Sequence, residues 1–305
     1  MSQPVAAENG IRPLTDVEFA QLGDIIYRNA GIYLAPTKKA LLAGRLGRRL
    51  RELRMDSFGQ YFRHVREGTD PLELNRLLEA ICTHETHFFR EPRQFEYIER
   101  QLVPEWERAA AAGLRPRLLR AWSAGCSTGE EPYSVAMSLL GRLRPDRGWR
   151  IEILATDLSG RVLDQARAAV WPVAKAEEIP KEYLRSFMLK GARSREGLMK
   201  AGPLLRSAVR FERVNLSEDV ATVAGTFDLI LCRNVLIYFD AASRLRAIRR
   251  LMSRLAPEGR LFLGHSETLN GVTSELCSVG PTVYAWPPAV RRPRAAVPDA
   301  APGLS

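Results

Sequence analysis

The first third of the chain repeats apolar residues with the period of an amphipathic helix. The apolar stripe of residues 13–31 begins beside Thr15 and Glu18, which have capping-box spacing, and ends at Gly31, a residue suited to a helix end. Two further helices are predicted by the same spacing: residues 36–53 and 70–81. This third is therefore expected to be helical.

From about Arg117 onward, apolar residues occur in short runs separated by helical patterns. Strands are predicted at residues 117–125, 150–159, 209–217, 227–235, 260–267 and 281–287. Helices are predicted at residues 130–143, 160–171 and 241–259. Strands that alternate with helices of this length indicate an α/β fold, with a mostly parallel sheet covered on both faces.

The patterns predict a division of the chain into domains. We expect an all-helical domain over residues 11–91 and an α/β domain over residues 92–287. Residues 172–208 interrupt the alternation and contain a hairpin pattern at residues 187–201, so they are interpreted as an inserted β-subdomain. Residues 288–305 are rich in proline and alanine, which predicts a disordered tail.

Composition indicates a globular protein without a membrane span. The hydrophobic fraction is 46%, and no apolar run approaches the roughly 18 residues that a spanning helix needs. The first ten residues lack the basic start and apolar stretch of a signal peptide, so we expect a cytoplasmic protein. Its four cysteines are scattered without a CxxC pair, which favours reduced thiols over a disulfide framework or a four-cysteine zinc site.

The formal net charge of +10 favours an acidic partner, and its distribution suggests where that partner binds. Seven basic residues lie between Lys38 and Arg54 against one acid, Glu52. Helical spacing places four of them, Arg45, Arg48, Arg49 and Arg51, on the surface of the second helix that its apolar face leaves over. Two interpretations stay open: a solvated basic face, or a docking face for an acidic partner. The candidate docking residues are Arg45, Arg48 and Arg49.

Polar residues follow the predicted strands of the sheet where ligands bind in open α/β folds. The first strand ends in a turn with Gly125 and Gly129, the second ends at Asp157, and the third at Asn215. An acid at the second strand end suits a ribose diol, because a carboxylate accepts hydrogen bonds from both hydroxyls. The phosphate-binding motifs GxGxxG and GxxxxGK[ST] are missing. This favours S-adenosylmethionine, which carries adenosine without phosphate, over NAD or ATP.

Six sequence blocks in order resemble one enzyme family. The blocks are "THETHFFREPRQF", "WSAGCSTGEEPYSVAMSL", "ATDLSGRVLDQA", "VNL", "FDLILCRNVLIYF" and "LFLGHSETL". Together they are similar to CheR-type chemotaxis receptor methyltransferases over residues 19–284. The resemblance implies the Rossmann-like fold of class I S-adenosylmethionine-dependent methyltransferases, and methylation of glutamate side chains on chemoreceptors for chemotactic adaptation.

The resemblance also implies roles for individual residues. His84 stands where the family usually has asparagine, and an imidazole can still donate or accept one hydrogen bond. Arg90 and Tyr238 are the implied catalytic residues, with Tyr238 near the transferred methyl. The implied cofactor contacts are His84, Thr86, Arg90, Gly125, Glu130, Glu131, Asp157, Asn215, Leu216, Arg233 and Asn234.

The histidine-rich stretch of residues 82–92 allows two other interpretations, and both are disfavoured. His84 and His87 could share a helix face, but no third metal ligand is evident and HETH is not the HExxH of zinc proteases. No metal is therefore expected. A catalytic histidine base is not needed, because a glutamate with a reference pKa of about 4.3 is already ionised near pH 7. Phe88 and Phe89 are expected to pack rather than to stack on the cofactor.

The expected function is that of a protein-glutamate O-methyltransferase whose partner is the cytoplasmic domain of chemoreceptors. The hairpin of the insertion would hold the receptor's C-terminal peptide, and we expect a monomer that inserts into no membrane. Two alternatives are weighed against this function. A nucleic-acid methyltransferase is disfavoured because the [DN]PP[YFW] motif of adenine-modifying enzymes and aromatic residues on the basic helix are missing. An inactive cofactor-sensing module is disfavoured by the intact set of motifs.

Overall fold

The computed structural model describes residues 10–68, 70–218, 220 and 222–288. The chain forms two compact units. Among the described residues, the helical unit contains those up to Thr83 together with Tyr238–Ser243, and the sheet unit contains the others. The predicted domain boundary at residue 91 lies further along the chain than the end of the helical unit. Apart from Pro288, the predicted disordered tail lies outside the described residues.

The helical unit follows the predicted amphipathic pattern. Thr15 caps the first helix in a capping box with Glu18, and Gly31 ends the helix in the left-handed conformation, as the sequence predicts. A helix that was not predicted follows Ser57, whose hydroxyl accepts a hydrogen bond from the Gln60 N–H. The helices are α1 (Asp16–Ala30), α2 (Lys39–Glu52), α3 (Phe58–Glu67) and α4 (Glu73–Ile81).

One carboxylate is buried inside the helical unit. Glu73, at the start of α4, has no exposed side-chain surface. Arg49 of α2 donates to both its oxygens at 2.9 and 2.5 Å, the Tyr61 hydroxyl of α3 donates at 2.9 Å, and Arg76 donates at 3.1 Å. This cluster, the Glu73 cluster, therefore joins three helices through hydrogen bonds to a single charged group.

The sheet unit alternates strands and helices as predicted. A π-helical turn at Ile98–Leu102 connects its first two helices. The helices are α5 (Pro92–Tyr97), α6 (Val103–Ala111), α7 (Glu130–Arg142), α8 (Gly160–Ala168), α9 (Lys181–Phe187), α10 (Pro203–Ala208) and α11 (Ala241–Ser253). The first three residues of α11 are assigned to the helical unit, and the rest of the helix, from Arg244, to the sheet unit. The strands are β1 (Leu118–Ala124), β2 (Arg150–Asp157), β3 (Val170–Pro172), β4 (Met188–Lys190), β5 (Leu198–Ala201), β6 (Val209–Arg213), β7 (Phe227–Cys232), β8 (Leu255–Leu263), β9 (Cys277–Gly280) and β10 (Val283–Ala285).

Seven strands form the main sheet in the order β6-β2-β1-β7-β8-β10-β9. The five strands from β6 to β8 are mutually parallel, and β10 is antiparallel to both of its neighbours. The mostly parallel sheet is therefore as predicted. The chain proceeds outward from β1 to β2 on one side and later adds β7 on the other side. This reversal of strand order places the carboxyl ends of β1, β2 and β7 at the position where α/β folds bind ligands.

The small-sheet subdomain, residues 170–208, lies between α8 and β6. Its sheet has the order β3-β5-β4 with antiparallel pairing, and β4 and β5 form the predicted hairpin. The segment between β3 and α9 is a 3₁₀ turn, Val173–Glu178, whose first N–H donates to the Gly197 carbonyl at 2.8 Å. This turn is thus fixed to the small sheet.

Two predicted helices are shorter in the structure because their last residues belong to strands. Trp171 was assigned to the helix of residues 160–171, but it is a buried residue of β3 and is paired with Met199. Leu255 was assigned to the helix of residues 241–259, but it starts β8 opposite Phe227. Both segments carry apolar residues whose spacing fits either element, so tertiary pairing decides between them.

Candidate active site

The turn after β1 brings the backbone to the carboxyl edge of the sheet. Gly125 and Gly129 have positive φ values of 88° and 97°. A Cβ at Gly129 would lie 2.9 Å from the Ala166 Cβ, so close helix packing also requires glycine there. The N–H groups of Gly125 and Cys126 both donate to the Thr156 carbonyl, at 2.8 and 2.9 Å. The turn is therefore attached to the end of β2.

Asp157, the predicted ribose ligand, lies at the end of β2 and organises this turn. One carboxylate oxygen accepts the Ser127 N–H at 2.9 Å, and the other accepts the Ser159 N–H at 3.0 Å. Each carboxylate oxygen has a further lone pair, and the side chain is partly exposed. Asp157 can thus hold the turn and still accept hydrogen bonds from a ligand diol.

Glu130 and Glu131, the first residues of α7, have different surroundings. The Glu130 carboxylate is 1% exposed and accepts from the Thr128 hydroxyl at 2.6 Å and from Lys175 Nζ at 2.5 Å. Glu131 accepts from the Ser123 hydroxyl at 2.6 Å. Burial raises the pKa of Glu131 above its ordinary value, although Arg233 and Ser123 act in the opposite direction. Sequence reasoning missed Lys175, which lies 45 residues from its partner.

Arg233, a predicted cofactor contact, follows β7 and is buried between carboxylates. Its guanidinium lies 3.4 Å from Glu91 and 3.4 Å from Glu131, and its side chain is 1% exposed. It also donates to the Arg90 carbonyl. No side chain or backbone N–H of the described residues donates to Glu91 Oε2, although Oε1 accepts the His265 N–H at 3.0 Å. Arg233, Glu91 and Glu131 together form the Arg233 cluster.

Asn234, the residue after Arg233, has a positive φ of 60° and a buried amide oxygen. Among the described residues, nothing donates a hydrogen bond to that oxygen. Glu267 fixes the backbone here by accepting N–H groups from Asn234 at 2.9 Å, Leu236 at 2.7 Å and Gly264 at 2.7 Å. Glu267 was not assigned a role from the sequence. The sequence signal for this role is the position of Glu267, an acid three residues after Gly264, the glycine that follows a buried strand.

The segment of residues 84–90, which contains the three predicted site residues His84, Thr86 and Arg90, lies against the β1 turn and the small-sheet subdomain. The His84 carbonyl accepts from the Ser127 hydroxyl at 2.9 Å, and the Thr86 carbonyl accepts from Lys175 at 3.2 Å. Arg90 donates to the Glu85 carbonyl at 3.2 Å. Phe88 and Phe89 are 1% and 8% exposed, so both rings pack in the core as expected.

Three other predicted site residues form hydrogen bonds within their own units. Asn215 accepts from the N–H and hydroxyl of Ser217 and donates to Glu218 at 2.8 Å. Leu216 is buried, and its carbonyl accepts from Arg250 at 2.8 Å. Tyr238 belongs to the helical unit, where its carbonyl accepts the Tyr33 N–H at 2.9 Å.

The three candidate docking arginines of α2 differ in exposure. Arg45 donates to the Ile81 carbonyl and, at 2.6 Å, to the Thr83 hydroxyl. Arg49 holds Glu73 and is 21% exposed. Arg48 is 84% exposed and pairs with Glu52 at 3.0 Å. Of these three residues, Arg48 presents its charge most fully to solvent.

The described ranges contain no cluster of three or more His, Cys, Asp or Glu residues arranged to hold a metal ion. No helix within them is both long and apolar enough to cross a bilayer.

Comparisons with known proteins identify the family. Residues 17–82 match the model "CheR methyltransferase, all-alpha domain" and residues 84–285 match "CheR methyltransferase, SAM binding domain". The chain is 39% identical to chemotaxis protein methyltransferase 2 of Pseudomonas aeruginosa, over 89% of this chain and 93% of that protein. It is 36% identical to the chemotaxis protein methyltransferase of Salmonella typhimurium, over 89% and 91%.

A likeness to a solved structure of a different methyltransferase is weaker. The glycopeptide N-methyltransferase MtfA matches 53% of this chain and 52% of its own, with 16% identity and a TM-score of 0.30, which supports no argument about function. The two family models instead cover most of the chain in the expected order. The chain therefore belongs to the CheR methyltransferase family.

Proposed function

We propose that the protein transfers a methyl group from S-adenosylmethionine to glutamate side chains of chemoreceptors, forming methyl esters, and that it acts in the cytoplasm as a monomer. The observation that carries this proposal is the match of both CheR domains over residues 17–82 and 84–285. The relatives named above support chemotaxis as the setting.

The polar groups at the carboxyl edge of the sheet fit S-adenosylmethionine. Asp157 would accept hydrogen bonds from the ribose hydroxyls, and the buried Asn234 amide oxygen needs a donor, which a ligand ammonium or hydroxyl can supply. Thr86, Asn215 and Leu216 are further proposed contacts. When bound, the cofactor supplies an electrophilic methyl group on a positively charged sulfur.

The remaining catalytic task of the protein is alignment and exclusion of water. The substrate glutamate is ionised at neutral pH, so no base has to remove a proton. The enzyme has to hold the carboxylate oxygen in line with the methyl carbon and remove water from the carboxylate. Arg90, whose cationic guanidinium suits a carboxylate, and Tyr238 are the proposed catalytic residues.

We further propose that α2 provides the basic docking surface for the receptor. Support is strongest at Arg48, because its side chain is exposed. Arg45 and Arg49 also belong to the predicted docking set, but their guanidinium groups are engaged within the helical unit. Changing them would therefore alter the shape of the unit as well as its charge.

The small-sheet subdomain is the proposed docking site for the receptor's C-terminal peptide. β4 is an edge strand that pairs on one side with β5. An extended peptide can add to such an edge through backbone hydrogen bonds, which raises the local concentration of methylation sites. Deletion of residues 191–197 should slow methylation of receptors with the peptide more than of receptors without it. Equal slowing of both would contradict the tether.

The methyl-transfer proposal is tested by incubating the full chain with methyl-labelled S-adenosylmethionine and either receptor membranes or DNA. We expect label on the receptor that is released by mild base, as a glutamate ester requires. Base-stable label on the receptor would contradict ester formation, and label on DNA would indicate the alternative nucleic-acid function. Binding of S-adenosylmethionine without transfer to either substrate would indicate a sensing module.

A further inference from the structure

Residues 84–90 are held at four backbone positions by side chains from elsewhere in the sheet unit. Ser127 donates to the His84 carbonyl at 2.9 Å, and Ser134 accepts the Phe89 N–H at 2.9 Å. Ser127 belongs to the turn after β1, and Ser134 belongs to α7. The other two contacts come from the 3₁₀ turn Val173–Glu178 of the small-sheet subdomain.

Lys175 is the first of these contacts and bridges two proposed cofactor residues. Its ammonium donates to the Thr86 carbonyl at 3.2 Å and to the Glu130 carboxylate at 2.5 Å. The Glu130 side chain is 1% exposed and that of Lys175 is 29% exposed, so the carboxylate of this ion pair is removed from water. Loss of the Lys175 charge would leave a buried carboxylate supported by Thr128 and would free the Thr86 carbonyl.

Glu178 is the second contact. Its carboxylate accepts the Phe88 N–H at 2.8 Å. Phe88 is 1% exposed, and an N–H without an acceptor is costly in such surroundings. Glu178 therefore fixes the backbone of residues 84–90 two residues after the position fixed by Lys175.

Aromatic contacts reinforce the same connection. The Phe88 ring meets Trp171 of β3 edge to face, with centroids 5.0 Å apart, and the Phe89 ring stacks on Tyr183 of α9 at 5.6 Å. Both partners belong to the small-sheet subdomain. The subdomain thus contacts residues 84–90 through two polar side chains and two rings, which is more than a docking module separate from the active site would require.

We propose that Lys175 and Glu178 are positioning residues through which the small-sheet subdomain orders residues 84–90 for cofactor binding. This inference rests on the proposed function, because the ligand is taken to be S-adenosylmethionine. A segment held in its bound conformation loses little further conformational entropy when the ligand binds, whereas a released segment must be ordered at the expense of affinity. By linkage, whatever displaces the 3₁₀ turn also changes cofactor affinity.

The test compares Lys175→Met and Glu178→Ala with matched controls on exposed neighbours, Lys181→Met and Glu177→Ala. Lys175→Arg and Glu178→Gln are conservative variants that retain the charge or the acceptor. The dissociation constant of S-adenosylmethionine is measured by calorimetry on the full chain, together with KM for cofactor and receptor and kcat.

We expect Lys175→Met and Glu178→Ala each to raise the cofactor dissociation constant about tenfold, a typical size for coupling between sites. KM for the cofactor should rise more than KM for the receptor, the controls should behave as wild type, and the conservative variants should recover most of the affinity. A residue that only maintained the fold would lower the folded fraction without this separation of the KM values.

Folded Lys175→Met and Glu178→Ala proteins that bind the cofactor within about twofold of wild type, well below a typical coupling effect, would overturn the proposal. If Lys175→Met does not fold, Glu178→Ala and the conservative variants decide by the same criterion. A wild-type chain that binds S-adenosylmethionine but methylates no receptor would refute the proposed function, and the binding comparison would still test the positioning residues.

Discussion

The two units of the molecule both bury charged residues, but they satisfy them differently. In the Glu73 cluster, a single carboxylate receives four hydrogen bonds from three side chains, at 2.5 to 3.1 Å. In the Arg233 cluster, one guanidinium lies 3.4 Å from each of two carboxylates. Glu91 Oε2 there and the neighbouring Asn234 amide oxygen have no hydrogen-bond donor among the described residues.

The pKa values of Glu73 and Glu131, one carboxyl from each cluster, follow this difference in hydrogen bonding. Burial opposes ionisation of Glu73, but hydrogen bonds from Arg49, Tyr61 and Arg76 outweigh it and lower its pKa. Burial also opposes ionisation of Glu131, and there it prevails over Arg233, so the pKa is raised. A satisfied cluster stabilises a fold, whereas an incompletely satisfied cluster at a strand end retains polar atoms for a ligand.

The largest expected effect is the loss of the Glu73 cluster. Glu73→Ala should lower the free energy of unfolding by about 3–5 kcal/mol, because two arginines lose a buried partner. The exposed Glu52→Ala is the control and should change stability little. Denaturant unfolding of the full chain measures both. A Glu73→Ala protein as stable as Glu52→Ala would show that the cluster contributes nothing.

Mutation of the Arg233 cluster should lower the free energy of unfolding less than loss of the Glu73 cluster does. The contribution of Glu131 to stability should also change with pH in the opposite direction to that of Glu73. Arg233→Met should cost about 2–3 kcal/mol, less than a tightly bonded pair, since its contacts are longer. The raised folded pKa of Glu131 gives stability that is present below the ordinary glutamate pKa and lost as pH rises through the folded pKa. Without Arg233, which opposes this shift, the variant should lose more stability than wild type as pH rises above the ordinary glutamate pKa.

For Glu73, a lowered folded pKa gives stability that is present above the ordinary glutamate pKa and lost as pH falls through the folded pKa. Wild type should therefore lose the contribution of this cluster in acid, and Glu73→Ala should lack that part of the acid dependence. Unfolding free energies measured between pH 3 and pH 8 for both variants provide the comparison. Parallel pH curves for the two variants would contradict the distinction between the clusters.

Asp157→Asn tests whether the sheet unit's polar groups serve a ligand. Asparagine retains one oxygen acceptor for a backbone N–H, whereas Asp157→Ala would release both Ser127 and Ser159. Affinity for S-adenosylmethionine should fall by about 1.5–3 kcal/mol, the range for a hydrogen bond to a charged group. Calorimetry measures the change. Unchanged affinity would remove Asp157 from the proposed site.

Exposed charge on the helical unit should affect substrate encounter rather than stability. Arg48→Glu should reduce receptor methylation at low salt several-fold, and the reduction should shrink at high salt because surface charges are screened. Cofactor affinity and unfolding should stay as in wild type. If Arg48→Glu methylates receptors normally at low salt, the basic face is only solvated.

The smallest expected effect is that of chelation. Carboxylates with spare lone pairs would also suit a metal, so EDTA distinguishes a metal ligand set from an organic-ligand site. We expect methylation to be unchanged in EDTA. Loss of activity that zinc restores would overturn the metal-free interpretation of the stretch containing His84 and His87.

Local and periodic features of the fold were predictable from the sequence. The capping box of Thr15 and Glu18 requires neighbours only three residues apart, and Asp157 was found because a strand end is visible in the apolar pattern. Side-chain partners distant in the chain were not predictable. The sequence pattern indicates an exposed charge at Arg49, because its partner Glu73 is 24 residues away in the chain. The roles of Arg45 and Lys175 depend on tertiary contacts in the same way.

The buried thiol in the turn after β1 has a kinetic consequence. Cys126 is 1% exposed, and burial raises its pKa well above the ordinary value, as it does for Cys232. Because the thiolate is the nucleophile that attacks thiol reagents, Cys126 becomes modified only while the turn is open to water. In a chain with Cys82 and Cys277 replaced by serine, the rate of modification at Cys126 would report how often this turn opens. A ligand that keeps the turn closed would lower the rate at which Cys126 is modified.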